Sequence, residues 1–203
     1  IRLAKKKAGN GDLTEAKKIY QAIIDKFPKN KKATKGLLAL SQKKLAKVDN
    51  SQDPPEHLVK TLIVLNRQGE FKRCKEEALN LIKSYPNSVV LYNFLGSAHQ
   101  GLDELEEAVN SFNKALAIKP YFADIYYNLG NALQKQNKHK GAIKAYKKAI
   151  SIKSSFAAAY NNMGSAFHHL GKLGDAIEAY HKALLIQPDY DQVNHNLGAV
   201  LTQ

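Results

Sequence analysis

The sequence predicts an all-α protein built as a solenoid of antiparallel helix hairpins. Three observations carry this reading. The pentapeptides YYNLG (126–130), YNNMG (160–164) and NHNLG (194–198) begin 34 residues apart. Within each period, apolar and small residues recur three and four positions apart in two blocks, the spacing of a helix face. The blocks are joined by stretches such as KQNKH and LGKLG, which leave room only for a tight antiparallel return.

Composition narrows the function classes. The 203 residues are 44% hydrophobic and 24% charged, the balance of a soluble globular protein. No stretch approaches the ~18 apolar residues of a membrane span, and IRLAKKK lacks the apolar run of a signal peptide. The single cysteine, Cys74, excludes an internal disulfide and fits a reducing compartment. The chain therefore reads as cytoplasmic, with no membrane partner. Its net charge of +13 is uneven: residues 1–50 carry 14 Lys+Arg against 4 Asp+Glu. A nucleic-acid partner is disfavoured, because no nucleic-acid fingerprint accompanies the charge, and a lysine-rich solvated face explains it.

Along the chain, residues 1–46 form a basic N-terminal helical segment. GDLTEAKKIYQAIIDKFP (11–28) carries Ala16, Tyr20 and Pro28 at the spacing of a second hairpin helix. KKATKGLLALSQKKLAKV then reads as one amphipathic helix through Leu37, Leu38, Leu45 and Val48. DNSQDPP breaks the chain, so 47–55 is a linker. One helix is then left over between hairpins. It is expected to cap the solenoid or to pair with a second copy in a homodimer.

The regular units are 55–88, 89–122, 123–156 and 157–190, with a partial one over 191–203. Gly96, Gly130, Gly164 and Gly198 share a column; Phe112, Tyr146 and Tyr180 share another, with Ala108, Ala142 and Ala176 four residues earlier. Small residues belong where two helix backbones approach closely, and the aromatic column fills the space beside them. Pro120 and Pro188 end second helices because proline lacks the backbone donor. Unit 55–88 diverges, with Leu62 in the glycine column and Cys74 in an alanine column.

Tyr126-x2-Leu129-Gly130-x2-Leu133 followed by Ala142-x3-Tyr146 resembles the pattern of the tetratricopeptide repeat (TPR) family. The resemblance covers 55–203 well and 1–46 in part. It implies a right-handed α-solenoid whose first helices line a concave groove.

No catalytic constellation, metal set or cofactor motif stands out. Cys74 sits in a packing column, and adjacent His168 and His169 point about 100° apart on a helix. The candidate site is instead the set of first-helix residues that packing columns leave over. It comprises Asn93, Phe94, Tyr127, Asn128, Asn131, Asn161, Asn162, Ser165, His168, His195 and Asn196. Asn128, Asn162 and Asn196 form a period-34 ladder with no evident packing role. Amides offer donors and an acceptor together, which suits the main chain of an extended peptide. The ladder also resembles that of O-GlcNAc transferase repeats. A carboxylate clamp of the kind that grips chaperone tails is disfavoured, since Tyr127 and Ala158 stand where its lysines are expected. The expected function is a protein–protein interaction scaffold without enzymatic activity, binding a protein or peptide in its groove. The alternative is a recruiting arm of a larger transferase, because the chain resembles the repeat region preceding transferase domains in some bacterial proteins.

Overall fold

A computed structural model of the protein describes residues 1–9, 12–27, 30, 32–34, 36, 37 and 53–202. The chain divides into two compact units, Ile1–Gln52 and Asp53–Gln203. Most of the expected amphipathic helix over 31–48 and most of the 47–55 linker lie outside the described residues, although 32–34, 36 and 37 are helical.

In the first unit, α1 (Arg2–Gly9) and α2 (Leu13–Lys26) pack together. Asp12 starts α2, its Oδ1 accepting from the Glu15 backbone N–H at 3.2 Å. Ala4, Ala16 and Tyr20 form the core with Ala33. Ala4 precedes Tyr20 by the interval that separates Gly130 from Tyr146. The repeat spacing therefore extends through α1.

The described residues of the second unit are helices joined by short turns, with no strand among them. Its helices are α3 (Glu56–Arg67), α4 (Phe71–Ser84), α5 (Val89–Gly101), α6 (Leu105–Ile118), α7 (Ala123–Lys135), α8 (His139–Ile152), α9 (Ala157–His169), α10 (Leu173–Ile186) and α11 (Asp191–Leu201). Pairs α3/α4 to α9/α10 are hairpins, and each second helix also packs on the next first helix. First helices touch the first helices of adjacent hairpins, so α3, α5, α7, α9 and α11 line one side of the stack.

Each hairpin turns by the same device. Gly69, Asp103, Asn137 and Gly171 take positive φ of 73°, 62°, 58° and 69°. These positions recur at period 34, and Gly, Asn and Asp are the residue types that enter this region at least cost. The N–H of the next residue reaches back five positions: Glu70 to the Leu65 carbonyl and Lys138 to that of Leu133, both at 2.9 Å. This Schellman closure satisfies carbonyls that the helix end would otherwise orphan.

Close packing explains the columns. A Cβ added to Gly130 would lie 2.4 Å from the Tyr146 ring, and one on Gly96 2.6 Å from Phe112. In the first hairpin the sizes are exchanged. Leu62 fills the glycine column and Ala78 the aromatic column, both wholly buried in one cluster. Volume is conserved across the pair, so the divergence from the repeat pattern leaves the architecture intact. Cys74 is buried beside them, and burial pushes its thiol up to about 11. Between the first two hairpins, Lys75 Nζ donates to both Glu104 oxygens at 2.7 and 2.9 Å. That contact, with His99, holds the Glu104 carboxyl below the usual carboxylate range.

Candidate functional site

The side lined by first helices carries a chain of amide hydrogen bonds. Asn128 Nδ2 donates to Asn93 Oδ1 at 3.1 Å, Asn162 Nδ2 to Tyr127 Oη at 3.2 Å, and Asn196 Nδ2 to Asn161 Oδ1 at 2.9 Å. Each bond reaches back 35 residues. A ladder Asn therefore bonds the residue one place before the ladder column in the preceding hairpin. This corrects the expectation that the three asparagines lack a packing role. The first helices lie side by side, so a short amide spans the gap and joins consecutive repeats. Phe94 ends the series toward the N-terminus: Asn93 receives Asn128, but Phe94 has no amide to reach the preceding hairpin and packs instead against the cluster around Leu62.

Around Asn131 the network branches. Asn131 Oδ1 accepts from Asn162 Nδ2 at 2.8 Å and from Tyr146 Oη at 2.8 Å. The Tyr146 hydroxyl also lies 2.9 Å from Gln134 Oε1, sharing its one proton between the two oxygens. Gln134 Nε2 continues to Ser165 Oγ at 3.0 Å in the next hairpin. Burial, the largest cause, pushes the Tyr146 phenol well above its ordinary value, so it stays protonated. Tyr146 thus has two functions: its ring packs on Gly130 and its hydroxyl holds the groove amides.

The other expected residues divide by exposure. Tyr127 is half-buried, wedged 4.9 Å from the Phe156 ring and 6.1 Å from Tyr146. Asn161 is buried, donating to Asn162 Oδ1 at 3.1 Å and receiving Asn196, so both its polar ends are used inside the protein. His168 is half-buried and His195 exposed. Asn196 also receives Gln192 at 3.1 Å.

Open hydrogen-bonding capacity concentrates at one place. Both oxygen lone-pair directions of Asn131 are taken, which fixes its amide and leaves its NH₂ group without a partner among the described residues. Gln100, Asn131, Gln134, Lys135 and Asn162 line a recess of about 330 Å³ there. Gln100, Gln134 and Lys135 did not stand out in the sequence. The available signal was tyrosine rather than phenylalanine in the aromatic column, since only a hydroxyl requires polar partners above it. Beyond this recess, His139 and His169 stack at 4.7 Å with rings 6° from parallel. Desolvation, with the neighbouring His169, lowers the His139 pKa.

The chain matches the profile described as TPR repeat over residues 96–137 and 130–171, and those described as tetratricopeptide repeat over 157–190 and 2–30. Together these cover more than half of it. Among curated protein sequences none matches significantly. Solved structures do. The crystal structure of MamA is 26% identical, covers 93% of this chain and 96% of its own, and superposes with a TM-score of 0.62. YrrB, described as a TPR protein with an unusual peptide-binding site, is 19% identical over 78% of this chain and 82% of its own, with a TM-score of 0.61. The second TPR domain of human RPAP3, in complex with an HSP70 peptide, is 22% identical over 57% of this chain and all of its own, with a TM-score of 0.54. Among the described residues no helix is long and apolar enough to cross a membrane.

Proposed function

Because the chain belongs to the tetratricopeptide repeat family, we propose that it is a non-catalytic interaction scaffold. It binds an extended polypeptide segment along the side lined by its first helices. RPAP3 holds a peptide on the same kind of fold, which supports a protein or peptide partner here.

The observation that carries the reading is the immobilised amide of Asn131 beside the recess. An extended chain presents main-chain carbonyls at regular intervals and offers little else that is common to all sequences. A donor already held by Tyr146 and Asn162 loses little rotamer freedom on binding. The spare amide hydrogens of Asn128 and Asn196 lie along the same ladder. Lys135 supplies the one ammonium group at the recess, suited to an acidic side chain near the bound backbone.

Peptides selected by display on the full chain provide the test. Isothermal titration should show Asn131→Ala weakening them about tenfold, as loss of a preorganised donor implies. Equal affinity for wild type and variant would refute the assignment of this recess.

A further inference from the structure

The outward faces of the second helices allow a comparison that the repeat itself controls. Five columns of the second helices are exposed in every hairpin, and one of them holds Lys83, Ala117, Ser151 and Leu185. The other four are 72, 76, 79 and 80 on α4; 106, 110, 113 and 114 on α6; 140, 144, 147 and 148 on α8; 174, 178, 181 and 182 on α10. All sixteen residues are exposed. The first set holds Lys72 and Glu76, the second Glu106 and Lys114, the fourth Glu178 and Lys182, so each nets zero formal charge. The third holds Lys140, Lys144, Lys147 and Lys148, a charge of +4.

The asymmetry extends beyond the helix. Residues 125–174 contain no Asp or Glu and eight lysines, the other four being Lys135, Lys138, Lys153 and Lys172. All eight are exposed, and none joins an ion pair among the described residues. Lys147 and Lys153 lie over the rings of Phe167 and Phe156. By contrast, Lys182 is 2.7 Å from Glu178 on the next outward face.

The fold does not require these lysines, since three other hairpins fill the same columns differently. They also cost stability. Lys140/Lys144 and Lys144/Lys148 are like-charge pairs four residues apart, which repel on a helix. Lys138 and Lys140 place positive charge at the N-terminal end of α8, where the helix dipole favours an anion. The first turn of α8 carries no acidic residue, whereas those of α6 and α10 do.

We propose that the outward face of α8 docks an acidic polypeptide segment. The stripe is one helix wide and spans about 12 Å from Lys140 to Lys148. Glu106 and Glu178 occupy the corresponding faces on either side. A bilayer or a nucleic-acid duplex would lie across those neighbours and gain no net attraction from their balanced charges within a Debye length. The stripe has no exposed aromatic residue on which single-stranded bases would stack, and no arginine for bidentate phosphate contacts. A strand or helix bearing Glu and Asp matches a single line of ammonium groups.

The test uses the full chain and a fluorescent poly-glutamate peptide, with oligo-dT and phosphatidylserine vesicles as competing probes. Wild type should bind poly-glutamate more tightly than either, with affinity falling steeply as salt rises. Lys140→Glu combined with Lys148→Glu replaces repulsion by Glu–Lys attraction around Lys144 and puts an anion in the first turn of α8. Its thermal midpoint should match or exceed wild type, while poly-glutamate binding weakens more than about tenfold. Unchanged poly-glutamate affinity would overturn the proposal, as would tighter binding of oligo-dT or vesicles that the same substitutions abolish. The Lys140→Glu/Lys148→Glu variant should bind the display-selected peptide of the first-helix recess as wild type does, which separates the two surfaces.

Discussion

Hairpins 55–88 and 123–156 occupy the same 34-residue frame yet fill it in opposite ways. In one, Leu62 on the first helix meets Ala78 on the second; in the other, Gly130 meets Tyr146. Both arrangements bury the pair fully, so the core requires the combined volume rather than the assignment of size to a particular helix. The difference lies in what reaches the first-helix side. Leu62 has no polar atom to extend there, whereas Tyr146 carries its hydroxyl to Asn131 and Gln134. Tyrosine packing thus couples the core of one hairpin to its polar surface.

The largest expected effect breaks the second arrangement. Tyr146→Ala removes a fully buried ring and should cost about 3–5 kcal/mol in denaturant unfolding. The reverse error comes next. Gly130→Ala brings a methyl into the Tyr146 ring and should cost about 1–3 kcal/mol. Gly174, exposed in the first turn of α10, has nothing within 4 Å of an added Cβ. Gly174→Ala should therefore stabilise, by up to about 1 kcal/mol of helix propensity. Equal signs for the two glycine variants in paired melts would undermine the close-approach account.

A smaller effect concerns pH. The His139 pKa is lowered in the folded state, chiefly by desolvation, so the unfolded chain binds its proton more readily. The stability this contributes is present above the unfolded value of about 6.5 and is lost as pH falls below it. Melting temperatures from pH 7.5 down to pH 5 should decline more steeply for wild type than for His139→Gln.

The repeat was legible because packing repeats: glycine, alanine and aromatic columns each answer one steric demand at fixed spacing. The shared positive-φ position was harder to see, since Gly69, Asp103, Asn137 and Gly171 are three residue types meeting one backbone requirement. The asparagine ladder was visible as a column, but its bonds were not. They run diagonally from one column to its neighbour, and Asn93, Tyr127 and Asn161 are three positions whose only shared property is a polar atom in reach. Gln100 and Gln134 share a column that His168 ends, and Lys135 belongs to none, so their convergence with Asn131 needed the stacking of neighbouring hairpins. The α8 lysines were hidden by averaging, because acidic residues on either side dilute them: residues 51–203 carry 17 Lys+Arg against 14 Asp+Glu.

The central claim, that fixed amides on the first-helix side bind an extended chain, is tested most directly by following side-chain amide NMR signals during titration with a display-selected peptide. The Asn131 and Asn128 NH₂ resonances should shift at the lowest peptide ratios. That of buried Asn161 should stay in place. Shifts confined to α8's outward face, with Asn131 unmoved at saturation, would contradict the account.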